Sequence, residues 1–250
     1  MNDEWLALIA DPVNHDQDPV GKTQFLKTGK YETSRLEAVG ISNGGVRRLA
    51  NGWYKQHRGL SMKELIPAAN RLMTTTDILE AQLFVLFLLE KYHRKFDEQL
   101  FAIIDTWIEQ IDYWAIADHL SINVLTYFAL EQAPYDEQLV AWSQGESYWR
   151  RRLSLTAYVK RVRSQPELAP TILTRAAALL PDDNYYIRKA IPWVLRESYR
   201  KHPQHQERVT AFVRNHISYF SKTMLRETIR YLADEVQQDL LEAYDQQPGT

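Results

Sequence analysis

Apolar residues recur along this chain at intervals of three and four, the period of helices with one face turned to a core. No segment shows the alternation of Val, Ile and Thr with polar residues that predicts a half-buried strand. The periodic stretches predict helices over roughly 3–10, 18–28, 43–57, 62–73, 77–94, 97–110, 113–131, 136–143, 147–163, 167–180, 184–201, 204–215 and 221–244. Ser61 followed by Glu64, and Asp77 followed by Glu80, have the spacing of a capping box, so each pair is expected to start a helix. The run AQLFVLFLLE (81–90) is apolar on every side. It is about half the ~20 residues of a membrane span, so a buried helix is expected there. Short helices joined by short loops predict an all-α chain. Successive helix pairs start about 35–40 residues apart, the period of HEAT-like repeats, so the expected architecture is an α-solenoid with a concave binding face. No linker rich in Pro, Gly or Ser divides the chain, and residues 1–250 are expected to form one domain.

Composition narrows the chemistry. Hydrophobic residues at 45% and charged residues at 25% are ordinary for a globular chain with a sizeable core. The absence of cysteine excludes disulfides, thiolate metal sites and a thiol nucleophile. The start, MNDEWLALIADP, has no basic region ahead of an apolar run, so no signal peptide, no membrane span and a cytoplasmic location are expected. A net charge of −2 is not the signature of a nucleic-acid binder. Its distribution is uneven, however. The first forty residues hold seven acids against four bases, whereas residues 146–163 hold Arg150, Arg151, Arg152, Lys160, Arg161 and Arg163 against Glu146. A near-neutral total can hide a local basic surface.

Familiar catalytic motifs are missing: there is no GxxxxGK[ST] loop, no GxSxG elbow and no HExxH. His202 and His205 in HPQH are a weak metal signal, better read as a surface loop. No metal site is expected. GISNGGVRR (40–48) enters a helix. Its amides and the adjacent Arg47 and Arg48 fit a phosphate, but Ser42 as a helix cap is the favoured reading.

Three helices carry side chains that an amphipathic pattern does not require. In NYYIRKAIPWVLRESYRK (184–201), Ile187, Ile191, Val194, Leu195 and Ser198 form the expected core face. Lys189, Trp193, Arg196 and Arg200 form a second stripe roughly opposite it. A charged stripe is ordinarily a solvated face, but Trp is ordinarily well buried. Pro192 removes a backbone donor inside the helix, and a kink is expected. In SYWRRRLSLTAYVKRVR (147–163), Tyr148, Leu155, Val159 and Val162 form the expected apolar stripe, with Arg152 inside it. Such an arginine is either paired internally, threads its stem past apolar surface to water, or clamps a phosphate from a cleft. In DYWAIADHL (112–120), Trp114 and Asp118 stand one turn apart. They lie away from Ile116, Leu120, Val124 and Tyr127. Periodicity alone favours Trp114 as a second core contact.

Four of these segments, in this order and spacing, resemble one family. VGISNGGVRRL (39–49), DYWAIADHL (112–120), SYWRRRLSL (147–155) and RKAIPWVLRE (188–197) are similar to the DNA alkylation repair glycosylases built from HEAT-like repeats, the AlkD-like family. The likeness runs from about residue 36 onward. It implies a catalytic set of Trp114, Asp118 and Trp193, and Arg152 as a phosphate-contacting arginine. Lys189, Arg196, Arg200, Arg47 and Arg48 are the accompanying DNA-binding candidates. It implies a monomer acting on double-stranded DNA that contains alkylated purines, without a cofactor. The departures are Pro192 where the family has Gly, and SNGG where its loop has a Pro. Phe25 or Tyr31 stands for the family's N-terminal aromatic at the lesion. If the resemblance extends to function, Trp114, Asp118, Arg152 and Trp193 are expected to line one concave groove. Family members that bind DNA without cutting it leave a second reading, a non-catalytic binder of bent or branched DNA. A helical-repeat scaffold for proteins is a third.

Overall fold

The computed structural model describes residues 1–27, 34–129 and 133–247, those of 24–27 and 133 by main chain alone. The architecture is all-α, the α-solenoid type of successive helical repeats that the periodicity predicts. Apart from a single parallel bridge between Glu37 and Ile78, no strand pairing occurs among the described residues. The chain falls into two compact units, Met1–Phe128 and Ala129–Thr250. Among the described residues no helix is long and apolar enough to cross a membrane.

The first unit holds α1 (Asn2–Ala10), α2 (Pro19–Lys27), α3 (Asn43–Gln56), α4 (Met62–Thr75), α5 (Leu79–Lys91), α6 (Glu98–Ile108) and α7 (Trp114–Asn123). Its centre is α5, the apolar run noted above. Every residue from Leu79 to Leu89 is buried, and α1, α3, α4 and α7 pack around it. A helix that is hydrophobic on all sides has to be enclosed on all sides. Ser61 begins α4 with the expected capping box, its hydroxyl accepting from the Glu64 N–H while Glu64 accepts from the Ser61 N–H at 2.8 Å.

The pair Asp77 and Glu80 does something else. The residue before α5 is Ile78, and no side chain caps that helix. Asp77 pairs with Arg35 at 3.0 Å. Glu80 is fully buried. One of its oxygens takes the Lys22 ammonium at 2.8 Å and the N–H groups of Gly40 and Ile41 at 3.3 Å; the other takes the N–H of Val39 at 3.0 Å. A buried carboxylate must be met by donors. Here it recruits three consecutive amides and a lysine, and so fixes the segment that leads into α3. Gly40 makes the bend with φ of 92°, and a Cβ there would stand 2.5 Å from the Gln17 carbonyl oxygen.

The second unit holds α8 (Ala133–Trp142), α9 (Tyr148–Thr156), α10 (Val159–Ser164), α11 (Ala169–Leu179), α12 (Tyr185–Tyr199), α13 (Gln206–Asn215), α14 (Lys222–Ile229) and α15 (Asp234–Asp245). Helix α12 is central, packed by α9, α10, α11, α13 and α14. Ile187, Ile191, Val194, Leu195 and Ser198 are all buried, as the core face predicts. Pro192 lies inside the helix, which stays α-helical throughout Tyr185–Tyr199.

Three predicted helices end early or divide. The 113–131 stretch is α7 followed by a 3₁₀ turn at Leu125–Tyr127. The 147–163 stretch divides at Ala157 and Tyr158 into α9 and α10. Buried Tyr158 anchors that turn: its hydroxyl donates to Asp136, and Arg175 pairs with Asp136 at 2.6 Å while lying 4.3 Å over the Tyr158 ring. In α9 the buried aromatic is Trp149, whereas Tyr148 is half-buried and stacks on Tyr186 at 5.8 Å. The 221–244 stretch divides after Ile229. There the buried Tyr199 hydroxyl donates to the Thr228 carbonyl at 2.7 Å and accepts the Tyr231 N–H at 3.2 Å, drawing that amide out of helical register.

Glu80→Gln keeps the shape of the side chain and removes its charge. It should lower the unfolding free energy by about 3 kcal/mol, the scale for breaking a buried pair. Urea unfolding at neutral pH measures this, and a loss below about 1 kcal/mol would contradict the role assigned to the carboxylate.

Candidate functional site

Trp114 opens α7 and is 42% exposed, so the core reading of this residue does not hold. Asp112 fixes the approach to the helix, accepting the Ser34 hydroxyl at 3.1 Å and the Arg35 N–H at 2.8 Å. Trp114 and Tyr113 form one wall of a cleft of about 460 Å³. Leu79 and Leu83 of α5 supply its apolar floor, and Gln17, Lys22, Ser42 and Asn43 its polar side. Asp118, one turn further along, is half-buried. Ile116 and Leu120 are buried on the opposite side of α7, as predicted.

The loop before α3 resolves in favour of the cap. The Ser42 hydroxyl accepts the Gly45 N–H at 3.1 Å. That hydroxyl and the Ser42 N–H both donate to Asp16, at 2.7 and 2.6 Å. These bonds, the hydroxyl's first, hold the Asp16 carboxyl below the usual carboxylate range. A carboxylate of the chain thus already stands at the entrance to α3. Arg48 is largely exposed, 3.8 Å from Asp16.

Arg47 belongs to an internal chain. It pairs with Glu90 at 2.5 Å, donates to the Asn123 side-chain oxygen at 3.3 Å and lies 4.3 Å over the Phe87 ring. Asn123 meets His119 Nδ1 at 3.2 Å, and Asn43, from the cleft wall, meets His119 Nε2 at 3.4 Å. This network ties α3 and α5 to α7 immediately beside Asp118. The sequence offered no signal for it beyond a histidine and two asparagines at helical positions.

In the second unit Arg152 is buried on α9 and donates through Nη1 to the Tyr186 carbonyl at the start of α12. Trp193 is half-buried in the stripe of α12, with Lys189 and Arg196 half-buried and Arg200 exposed beside it. Lys189 pairs with Glu227 at 2.5 Å. Arg196 donates to the Glu227 carbonyl at 3.3 Å. Arg200 lies 4.7 Å over the Tyr231 ring. The predicted residues therefore stand as Trp114, Asp118, Arg47 and Arg48 in the first unit and Arg152, Lys189, Trp193, Arg196 and Arg200 in the second. The Phe25 side chain and Tyr31 lie outside the described residues. His202 of the HPQH loop meets the Arg163 carbonyl through Nε2 at 2.9 Å.

Burial, then the neighbouring Arg47 charge, pushes the His119 imidazole down to about 4, with Glu90 acting in the opposite direction. The ring is neutral in both the folded and the unfolded chain above pH ~6.5. Between about pH 6.5 and 4 only the unfolded chain takes up the proton, so folding stability falls as pH falls. Allowing for partial exposure, this amounts to on the order of 2–3 kcal/mol by pH 4. His119→Gln should lose about 2 kcal/mol less stability than the parent chain between pH 7 and pH 4. Equal losses in paired urea titrations would show that His119 is not the group responsible.

No curated protein matches the chain. A solved structure described as a predicted DNA alkylation repair enzyme from Enterococcus faecalis superposes with a TM-score of 0.71, over 90% of this chain and 97% of that one. The two share 17% sequence identity, so that likeness speaks for the fold. The family model described as DNA alkylation repair enzyme matches residues 14–232, most of the sequence, and the chain belongs to that family.

Proposed function

We propose that this protein is a DNA glycosylase of base excision repair that hydrolyses the N-glycosidic bond of cationic N3- or N7-alkylated purines in duplex DNA. The observation that carries the reading is the start of α7, where a tryptophan ring open to solvent stands one turn from a carboxylate in a chain of the DNA alkylation repair family. An alkylated purine of this kind is positively charged and leaves with the bonding electron pair as a neutral base. Cationic character passes to the sugar, as in glycoside hydrolysis. Asp118 stabilises that charge and orients the water whose oxygen bonds to the anomeric carbon, the displaced proton passing to solvent. Trp114 offers its ring face to the cation, a contact worth about 0.5–2 kcal/mol, and Trp193 is the second aromatic of the catalytic set that the family resemblance implies. Arg152, Lys189, Arg196 and Arg200 serve the phosphodiester backbone. Residues of this kind require no cofactor.

Asp118→Asn should reduce release of 3- or 7-methylpurine from methylated duplex DNA by about 100-fold or more, a loss of ~2.7 kcal/mol in transition-state stabilisation. Its affinity for the same DNA should stay within about twofold. Chromatography of the released bases, beside a binding titration, reads both. Absence of release by the parent chain, together with preferential binding to junction DNA, would replace the glycosylase with the non-catalytic binder.

A further inference from the structure

The conspicuous side chain of RKAIPWVLRE that the proposed chemistry does not use is its last, Glu197. It follows Arg196 in a helix whose outer stripe is basic, yet its side chain is only 3% exposed. Three guanidinium groups surround it. Arg163, reaching from the end of α10, binds one carboxylate oxygen at 2.7 Å. Arg196 and Arg200 approach the other at 3.8 and 3.6 Å. At 100° per residue, Arg196, Glu197 and Arg200 all fall within about 60° of Trp193 around α12. Arg200 stands about 10 Å further along the axis.

Three guanidinium charges against one carboxylate leave the cluster at +2. The donor count is as unequal. Each guanidinium carries five N–H groups, whereas a carboxylate offers about four lone-pair sites in all. Glu197 therefore cannot absorb the cluster it assembles. Only Arg163 makes a close contact with it, and Arg163 and Arg200 keep 39% and 47% of their side chains open to solvent. Tyr231 borders the cluster, with Arg200 over its ring at 4.7 Å and Arg230 at 5.6 Å.

We infer that Arg163, Arg196 and Arg200, gathered on the buried carboxylate of Glu197, form a binding site for a phosphodiester group of the DNA strand, one to two helical turns from Trp193. Guanidinium forks match phosphate oxygens in a way that a single point charge does not. Glu197 is a positioning residue: it holds like charges together that would otherwise repel, and turns their remaining donors toward the ligand. The inference rests on the DNA reading above but not on base release.

Equilibrium binding of a labelled, unmethylated duplex between about 50 and 200 mM KCl tests it. R163Q should weaken binding about three- to tenfold and lower the slope of log K against log salt by about 1. R200Q should do the same, and R163K should keep the parental slope. Charge counting alone predicts that E197Q binds DNA more tightly, because a negative charge is removed. Positioning predicts weaker binding, with thermal melting confirming that the variant is folded. Should E197Q fail to fold, the comparison of R163Q with R163K decides. A parental slope in R163Q, or tighter binding by a folded E197Q, overturns the site. A chain that shows the expected slopes yet releases no alkylpurine keeps this site and loses the glycosylase assignment.

Discussion

A carboxylate taken out of water has to be met by donors, and in the first unit that requirement shapes the approach to the candidate site. Glu80 sits on the central helix, surrounded by apolar side chains. Its oxygens are satisfied only because residues 39–41 bring three amides and α2 brings Lys22. Once that segment is pinned, Ser42 follows at a fixed place, and with it the start of α3. Asn43 and Gly44 then face the cleft that Trp114 walls. Asp112 acts similarly at the start of α7, where no side chain caps the helix. The exposed Trp114 thus follows a stretch of backbone that Asp112 fixes by polar contacts.

The second unit applies the same rule with the signs rearranged. Asp136 anchors Tyr158 and Arg175, which set the turn between α9 and α10. Glu197 anchors Arg163 from the far end of α10. The short helix α10 is therefore tied near both its ends by carboxylates on other elements. Arg152, one turn before the division, reaches the first turn of α12 instead. In each case a polar contact made by a charged side chain spans two elements, while the apolar faces supply the bulk of the burial.

Much of this was legible in the sequence because helical periodicity is local. The core face of α12, the enclosed α5 and the capping box at Ser61 all depend on residues within a few turns of one another. Asp77 and Glu80 have the same spacing as Ser61 and Glu64, but spacing cannot reveal that Glu80 faces inward and meets Lys22, 58 positions away. The divisions after Thr156 and Ile229 were hidden for a related reason. Each is set by a tyrosine hydroxyl bonding across elements, and the hydrophobic pattern continues through both. Trp114 shows the reverse failure. Its period suited a second core contact, and the position of the cleft beside it depends on α2, α3 and α5 together. Of the candidate site, the motif residues themselves were legible, whereas the network around His119 and the role of Glu197 were not, since neither leaves a local trace.

The two faces of α12 tolerate substitution differently. Ile187, Ile191, Val194 and Leu195 are committed to the interior, so the tolerated alphabet there is small. Lys189 and Arg200 stand outside that interior, so a change at either alters the charge of the outer stripe while the core face stays filled. Helix α5, enclosed on every side, has no such latitude. Glu197 is where the two kinds of constraint meet. It is buried like a core residue yet holds Arg163 and Arg200, so a change at this one position is felt by the interior and the outer stripe at once.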